Sequence, residues 1–311
     1  MIATHSDLEQ LASGWWYYSI ELKSGLVTKG RDDPGVALVR EALRRIRIAG
    51  RQCIDIGVQE ALIPVLLCRH GAASVEAQDR FPMTRKVNAV KQAYGVDFTY
   101  VEGGSIVDFS SGREARNAGP ADIVIFGGVL YHMFDPLAGL CRVRALAGLG
   151  GIVVLETAAV AISDTDFPVT YFNARNSLYP SSTYFLPNAT WLDAALRFVG
   201  LEPLDCLFLR HGNRKDIRLG RICVPCRAVL PQDIADPQKR AWERDYIARD
   251  FSEFIDLSRL SLPVTPVSYD QSRSTAIRQT DGSIDIASTV QKGVPTPVTK
   301  QDTTLMLADW N

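Results

Sequence analysis

The sequence predicts a three-layer α/β sandwich built on a mostly parallel, seven-stranded sheet whose last strand is reversed. Two observations carry that expectation. Short apolar runs alternate with helix-length connections between residues 50 and 230, as a parallel sheet requires. The last two runs, 202–209 and 221–229, lie close enough to form an antiparallel hairpin through the link 210–218.

Residues 1–48 read as an N-terminal cap. An aromatic cluster, Gly14-Trp-Trp-Tyr-Tyr18, precedes a Gly/Lys/Thr turn region and a helix from Gly35 to Ile48 with apolar residues at helical spacing. Residues 49–230 form the core. Its strands are expected at 52–56, 74–78, 97–101, 122–126, 151–157, 202–209 and 221–229. A helix from Trp191 to Val199 has Thr190 as its expected N-cap. Residues 231–311 form an appendage: a polar helix over roughly 237–257, then a Pro/Ser/Thr/Gln-rich tail. Such a tail cannot bury much core by itself and is expected either to be disordered or to lie as an arm on this subunit or a neighbour, which would make a homo-oligomer.

Of the 311 residues, 46% are hydrophobic and 22% charged, with a formal net charge of -1. These are values of a soluble globular chain, and the neutral balance disfavours a dedicated nucleic-acid binder. No run approaches the length of a membrane span, and Met1-Ile-Ala-Thr-His-Ser-Asp7 lacks the features of a secretion signal, so a cytoplasmic protein is expected. Cys223-Val-Pro-Cys226 has the spacing of half a zinc site, but no second pair lies at partner spacing; alternation there suggests an edge strand and no metal.

The chemistry concentrates where strands end. The first closes on Asp55-Ile-Gly57, a glycine turn that lets backbone approach a ligand, and the second closes on Asp79, 24 residues after Asp55. A carboxylate there suits the vicinal hydroxyls of a ribose; it equally suits a turn or helix cap. A dinucleotide site wants Gly-x-Gly-x-x-Gly, whereas this turn reads Gly57-Val-Gln-Glu-Ala-Leu62, so a nicotinamide oxidoreductase is disfavoured. The fourth strand runs into Gly127-Gly128 and then Leu130-Tyr-His132 with Asp135-Pro136; the fifth is entered through Leu149-Gly-Gly151 and ends on Glu156.

Taken together, these motifs resemble a class I S-adenosylmethionine-dependent methyltransferase, with a Rossmann-like fold, over roughly residues 15–230. Trp16 to Gly25 and the Leu-Tyr-His block are most similar to a subgroup containing tRNA wobble-uridine carboxymethyltransferase-like proteins and natural-product methyltransferases. The resemblance implies S-adenosyl-L-methionine as cofactor, held by Asp55, Gly57, Gln59, Asp79, Ser105, Ile106 and Gly127, with Asp108 near the adenine amine or in a simple turn. Ala61 stands where the family usually has glycine, and one methyl is tolerable there if the backbone stays helical.

Methyl transfer needs alignment and dryness more than strong catalysis. For a hydroxyl acceptor His132 is the candidate base and Tyr131 an orienting group; His132 can also simply pack or cap. Trp16 and Tyr18 of the aromatic cluster, and Asn173, Arg175 and Tyr184 of the long polar segment 170–187, are candidate contacts to a small-molecule substrate; rings of such a cluster also bury against sheets. Two other readings stay open: a tRNA-modifying alkyltransferase, towards which Arg210, Arg214, Lys215, Arg218 and Arg221 lean, and a binding protein that kept the fold and lost turnover.

Overall fold

The computed structural model describes residues 5–161, 167–174, 177–179, 182–214, 217–231, 238, 240–293 and 303–307. Helix α1 (His5–Ser13) leads into a strap with the short strands β1 (Glu21–Lys23) and β2 (Leu26–Val27). Helix α2 (Pro34–Leu43) follows; Asp33 caps it by accepting from Gly35 N and Val36 N, and Pro34 presets its first turn.

The core then alternates: β3 (Gln52–Ile56), α3 (Leu62–Arg69), β4 (Ser74–Asp79), α4 (Thr84–Tyr94), β5 (Thr99–Glu102), α5 (Ile106–Ala115), β6 (Ala121–Gly127), α6 (Pro136–Leu146) and β7 (Ala147–Ala161). These five strands pair in parallel in the order β7-β6-β3-β4-β5. A small hairpin of β8 (Thr170–Phe172) and β9 (Phe185–Pro187) precedes α7 (Ala189–Phe198). The N-cap of α7 is Asn188, whose side chain accepts from Trp191 N; the expected cap, Thr190, falls inside the first turn.

Beyond β7 lie β10 (Leu201–Pro203), β11 (Leu207–Arg214) and β12 (Ile217–Ala228). β12 runs antiparallel to β7, which confirms the reversed last strand, and both β10 and β11 pair with it. Among the described residues the sheet therefore has eight strands where seven were expected. The expected strand 202–209 is broken at Asp205, a fully buried carboxylate. It accepts from Arg45, from the Tyr269 hydroxyl at 2.7 Å, from Ser274 Oγ at 2.7 Å and from Cys206 N at 2.8 Å. A buried charge needs such partners, and satisfying them pulls residues 204–206 out of the ladder.

Alternation along the strands separates two cores. Ile54, Ile56, Val124, Phe126, Val153 and Leu155 pack beneath α5, α6 and α7. Cys53, Ile123, Ile125, Ile152 and Val154 pack beneath α2, α3 and the strap. Asp55, Gly127, Glu156 and Arg221 share the parity of the second set and end it at the carboxyl edge of the sheet.

After α8 (Ala241–Ser252) the described tail packs on the core. Residues 262–267 cross the amino edge of the sheet, with Leu149 N donating to Leu262 O at 2.8 Å and Val264 N to Leu149 O at 3.1 Å. Arg51 and Arg227 hold its carbonyls at Thr265, Pro266 and Val267. A hairpin of β13 (Ile277–Arg278) and β14 (Ile284–Asp285) and helix α9 (Ile286–Gln291) lie against α7. Residues 303–307 return to the strap: Leu305 is fully buried, Glu21 N donates to its carbonyl at 2.9 Å, and its own N–H donates to Ser19 O at 3.0 Å. Among the described residues no helix is long and apolar enough to cross a membrane.

Candidate functional site

Chain order in the sheet reverses beside β3: β4 and β5 are laid down on one side and β6 and β7 on the other. In sheets of this topology the loops leaving the two strands at the switch point diverge, and ligands bind in the crevice between them at the carboxyl edge. Here those strands are β3 and β6, and the Gly57 turn is the floor. Gly57 has φ +81, and a Cβ there would come within 2.4 Å of Val129 Cγ2, so both handedness and the β6 loop demand glycine.

Two residues of the same turn are left-handed without being glycine, Gln59 at φ 49 and Ala61 at φ 63. The condition under which a methyl at Ala61 is tolerable, a helical backbone, is thus not met. Ala61 is the left-handed N-cap of α3, a conformation costing roughly 1–2 kcal/mol for a residue with a Cβ. The turn is folded this way because its polar groups are engaged elsewhere. Gln59 N donates to Asp79 Oδ2 at 2.7 Å. Glu60, fully buried, accepts from Tyr17 N at 3.0 Å, Tyr18 N at 3.3 Å and Lys86 Nζ at 3.0 Å.

Asp79 stands at the tip of β4, buried, with Oδ1 accepting from Phe81 N at 2.8 Å. Burial raises its carboxyl above the ordinary range, and the Phe81 and Gln59 N–H groups oppose that. Both oxygens hold backbone donors, which leaves one further lone-pair direction on each for a ligand. Beside it, Asp55 Oδ2 and Gln59 Oε1 are buried with no hydrogen-bond partner. Burial first, then the neighbouring Asp79, drives the Asp55 carboxyl well above its usual range. Two buried acceptors without donors, next to a second carboxylate, suit a ligand that brings N–H or O–H groups and positive charge.

At the other end of the crevice β6 closes on Gly127-Gly128. Gly127 lies between Val39 of α2 and Glu156, and Gly128 is left-handed at φ 72. Glu156 and Arg221 form a buried bidentate pair, and Arg221 Nη1 also donates to the hydroxyls of Tyr131 at 3.2 Å and Tyr179 at 3.1 Å. Asp33 joins from the strap, accepting from the Tyr17 hydroxyl at 2.7 Å. Burial raises Asp33, but Arg221, the Tyr17 hydroxyl and Gly35 N outweigh it and hold the carboxyl below its ordinary value. Burial pushes the Tyr131 phenol up to about 12 against the pull of Arg221. Arg221, one of the five residues that leaned towards an RNA face, is thus an interior residue. Lys215 and the side chains of Arg214 and Arg218 lie outside the described residues.

The remaining candidates divide. His132 Nδ1 lies 2.7 Å from Ser182 O, so it carries the proton and Nε2 presents a lone pair. Burial lowers the His132 pKa, Ser182 O opposes, and Arg221 and Arg80 lower it further; the ring is a neutral base at pH 7. Tyr18 is half-buried and packs against the second core, its phenol raised by burial first and then by Asp33, Tyr17, Asp55 and Glu60. Trp16 packs in that core with its indole N–H on Leu11 O at 2.9 Å. Asn173 is consumed by its own loop: Oδ1 accepts from Leu178 N and Tyr179 N, and Nδ2 donates to Tyr179 O and Thr183 O. It positions Tyr179 and is not itself open to a ligand.

Tyr184 is exposed, edge-on to the Phe134 ring at 5.8 Å, and Arg175 lies outside the described residues. Ser105 caps α5 in a reciprocal box with Asp108, whose Oδ2 takes Ser105 N at 2.6 Å, so Asp108 serves the cap. Ile106 is buried in the core beneath β3 and β6. Glu60, Asp33 and Tyr179 were not anticipated as site residues, nor was the buried pairing of Glu156 with Arg221. That pairing was findable, since a carboxylate ending an apolar strand needs a buried partner.

No family model matches the chain, and no curated protein matches it. Among solved structures it is similar to the N-terminal domain of EvdMO1, determined with SAH and D-fucose, at 18% identity and TM-score 0.48 over 71% of this chain and 96% of that one. It is also similar to Burkholderia thailandensis 1,6-didemethyltoxoflavin-N1-methyltransferase bound to 1,6-didemethyltoxoflavin and S-adenosylhomocysteine, at 15% identity and TM-score 0.45 over 63% and 77%. The N-methyltransferase NodS from Bradyrhizobium japonicum WM9, in complex with SAH, matches at 15% identity and TM-score 0.43 over 63% and 88%.

Proposed function

We propose that this chain is an S-adenosyl-L-methionine-dependent methyltransferase acting on a small-molecule acceptor, at oxygen. The observation that carries the proposal is the trio Asp55, Gln59 and Asp79 around the Gly57 turn: two buried acceptor atoms lack a donor, and a carboxylate faces them at the tip of the next strand. The methionyl ammonium, the sulfonium and the ribose hydroxyls of the cofactor supply the donors and positive charge that this set lacks. The turn has no second or third glycine to admit a pyrophosphate.

When bound, S-adenosyl-L-methionine supplies an activated methyl group. The protein's part is placement. Asp79 would hold the ribose, Asp55 and Gln59 the methionyl end, and Gly127 the edge of the crevice. Tyr131, fixed by Arg221, orients the acceptor, and Nε2 of His132 takes up a hydroxyl proton. Strap residues Tyr17 and Tyr18 exclude water from above. Formation of S-adenosylhomocysteine with a panel of phenols and hydroxy acids, followed by mass spectrometry, tests this; binding of the cofactor with no transfer to any hydroxyl or carboxylate oxygen would overturn it.

One observation favours a second reading, a cofactor-binding protein without turnover. Glu60 and the left-handed Ala61 fill the turn where an open glycine loop would serve. It expects the same ligand and no product. Against the tRNA-modifying reading stands the burial of Arg221.

A further inference from the structure

We infer that Glu60 is a positioning residue: it latches the N-terminal strap over the crevice, and its release admits and discharges the ligand. This rests on the nucleoside-binding reading of the crevice only for the identity of what passes the strap.

Glu60 is fully buried, yet none of its three hydrogen-bond donors belongs to its own turn. Two are the backbone N–H groups of Tyr17 and Tyr18 on the strap, and the third is Lys86 on α4. A carboxylate so buried is held by its donors or not at all. The turn adopts left-handed backbone at Gln59 and Ala61, on either side of Glu60. Strain of this kind persists where surrounding contacts over-determine it. Lys86 extends the latch, with its ammonium 4.6 Å from the ring centre of Trp15 and 5.1 Å from that of Trp16.

Besides Glu60, the Tyr17–Tyr18 stretch is held within the N-terminal region itself, Arg31 N donating to Tyr17 O at 3.0 Å and Thr28 Oγ1 to Tyr18 O at 2.8 Å, so Glu60 is what ties it to the ligand turn. At Ser19–Glu21 the strap is fastened to the core through Leu305, whose carbonyl also accepts from the Tyr94 hydroxyl at 2.9 Å. From there towards Trp15 it also depends on Glu60, on Trp16 packing and on the Tyr17 hydroxyl at Asp33. Tyr17 and Tyr18 lie on the ligand turn through Glu60, and the Tyr17 hydroxyl donates to Asp33 at 2.7 Å. The ligand-holding turn and the strap thus share one carboxylate, so filling the turn and seating the strap are coupled.

The test uses the full chain and the variants Glu60→Ala and Glu60→Gln. Glutamine keeps the size and one acceptor, so it serves if alanine fails to fold. Amide hydrogen exchange in the absence of ligand is expected to rise about tenfold or more over residues 15–18 in Glu60→Ala, less in Glu60→Gln, with β3 to β7 unchanged. Dissociation of S-adenosylhomocysteine, followed by tryptophan fluorescence, is expected to quicken by a similar factor. Unchanged exchange over the strap, or an increase spread evenly through the domain, would overturn the latch. If the wild-type chain binds no S-adenosylhomocysteine, the cofactor reading fails while the exchange result still decides the latch.

Discussion

Glu156 and Arg221 close on each other across β7 and β12, with guanidinium nitrogens 2.5 and 2.6 Å from the two carboxylate oxygens. Register places Glu156 opposite Cys223 and Arg221 opposite Ala158, so the pair is diagonal on the inner face of the reversed strand. Removing one partner strands the other. We expect Arg221→Met to lose about 3–5 kcal/mol in urea unfolding, and Glu156→Leu with Arg221→Met to recover most of it while orienting Tyr131 no longer. A double variant as unstable as the single one would show that the pair is not the unit.

His132 sets a pH signature. Its folded-state pKa lies below the ordinary value of about 6.5, so the unfolded chain takes up the proton first. Its share of stability is therefore full above that value and is lost as pH falls below it. The acid limb of the kcat profile is expected below about 6.5, and His132→Ala to lower turnover roughly a hundredfold with cofactor affinity intact. A variant with the wild-type profile would assign the limb elsewhere.

Asp55 trades stability for binding. Burial and Asp79 raise its carboxyl above the unfolded value, so the ionised folded form grows costlier as pH rises through that interval. At pH 7 Asp55→Asn is expected to raise the ligand-free Tm by roughly 2–4 °C and to weaken S-adenosylmethionine at least tenfold, which thermal scans and calorimetry measure. A lower Tm with unchanged affinity would make Asp55 a structural residue.

The tail holds the strap from outside. Leu305 is fully buried among strap and α4 residues, and Leu305→Ala is expected to cost about 2–5 kcal/mol in denaturant unfolding. A loss within experimental error would mean the tail contributes nothing there.

The sheet was legible because its strands carry their own signals: an apolar run, a glycine or aspartate at the tip, and a helix-length connection. Asp55, Gly57 and Asp79 fall where that pattern puts them. What escaped was long-range. Arg221 alternates with Ile222 and Val224 and sits near a basic run, which reads as surface until β7 supplies Glu156. Asp205 breaks a strand only because Arg45, Tyr269 and Ser274 converge on it from far along the chain. Trp16 and Asn173 had the chemistry of ligand contacts, yet their polar atoms are satisfied by nearby backbone. The tail looked unable to bury a core, and alone it could not; Val267, Ile286 and Leu305 find theirs on the rest of the domain.

Calorimetric titration of S-adenosylmethionine into the wild-type chain and Asp79→Ala tests the central claim most directly. We expect saturable one-to-one binding by the wild type and a loss of roughly 3 kcal/mol or more, over a hundredfold, in the variant. Equal affinity in both, or heat from NAD and none from S-adenosylmethionine, would contradict the assignment of the Gly57 crevice.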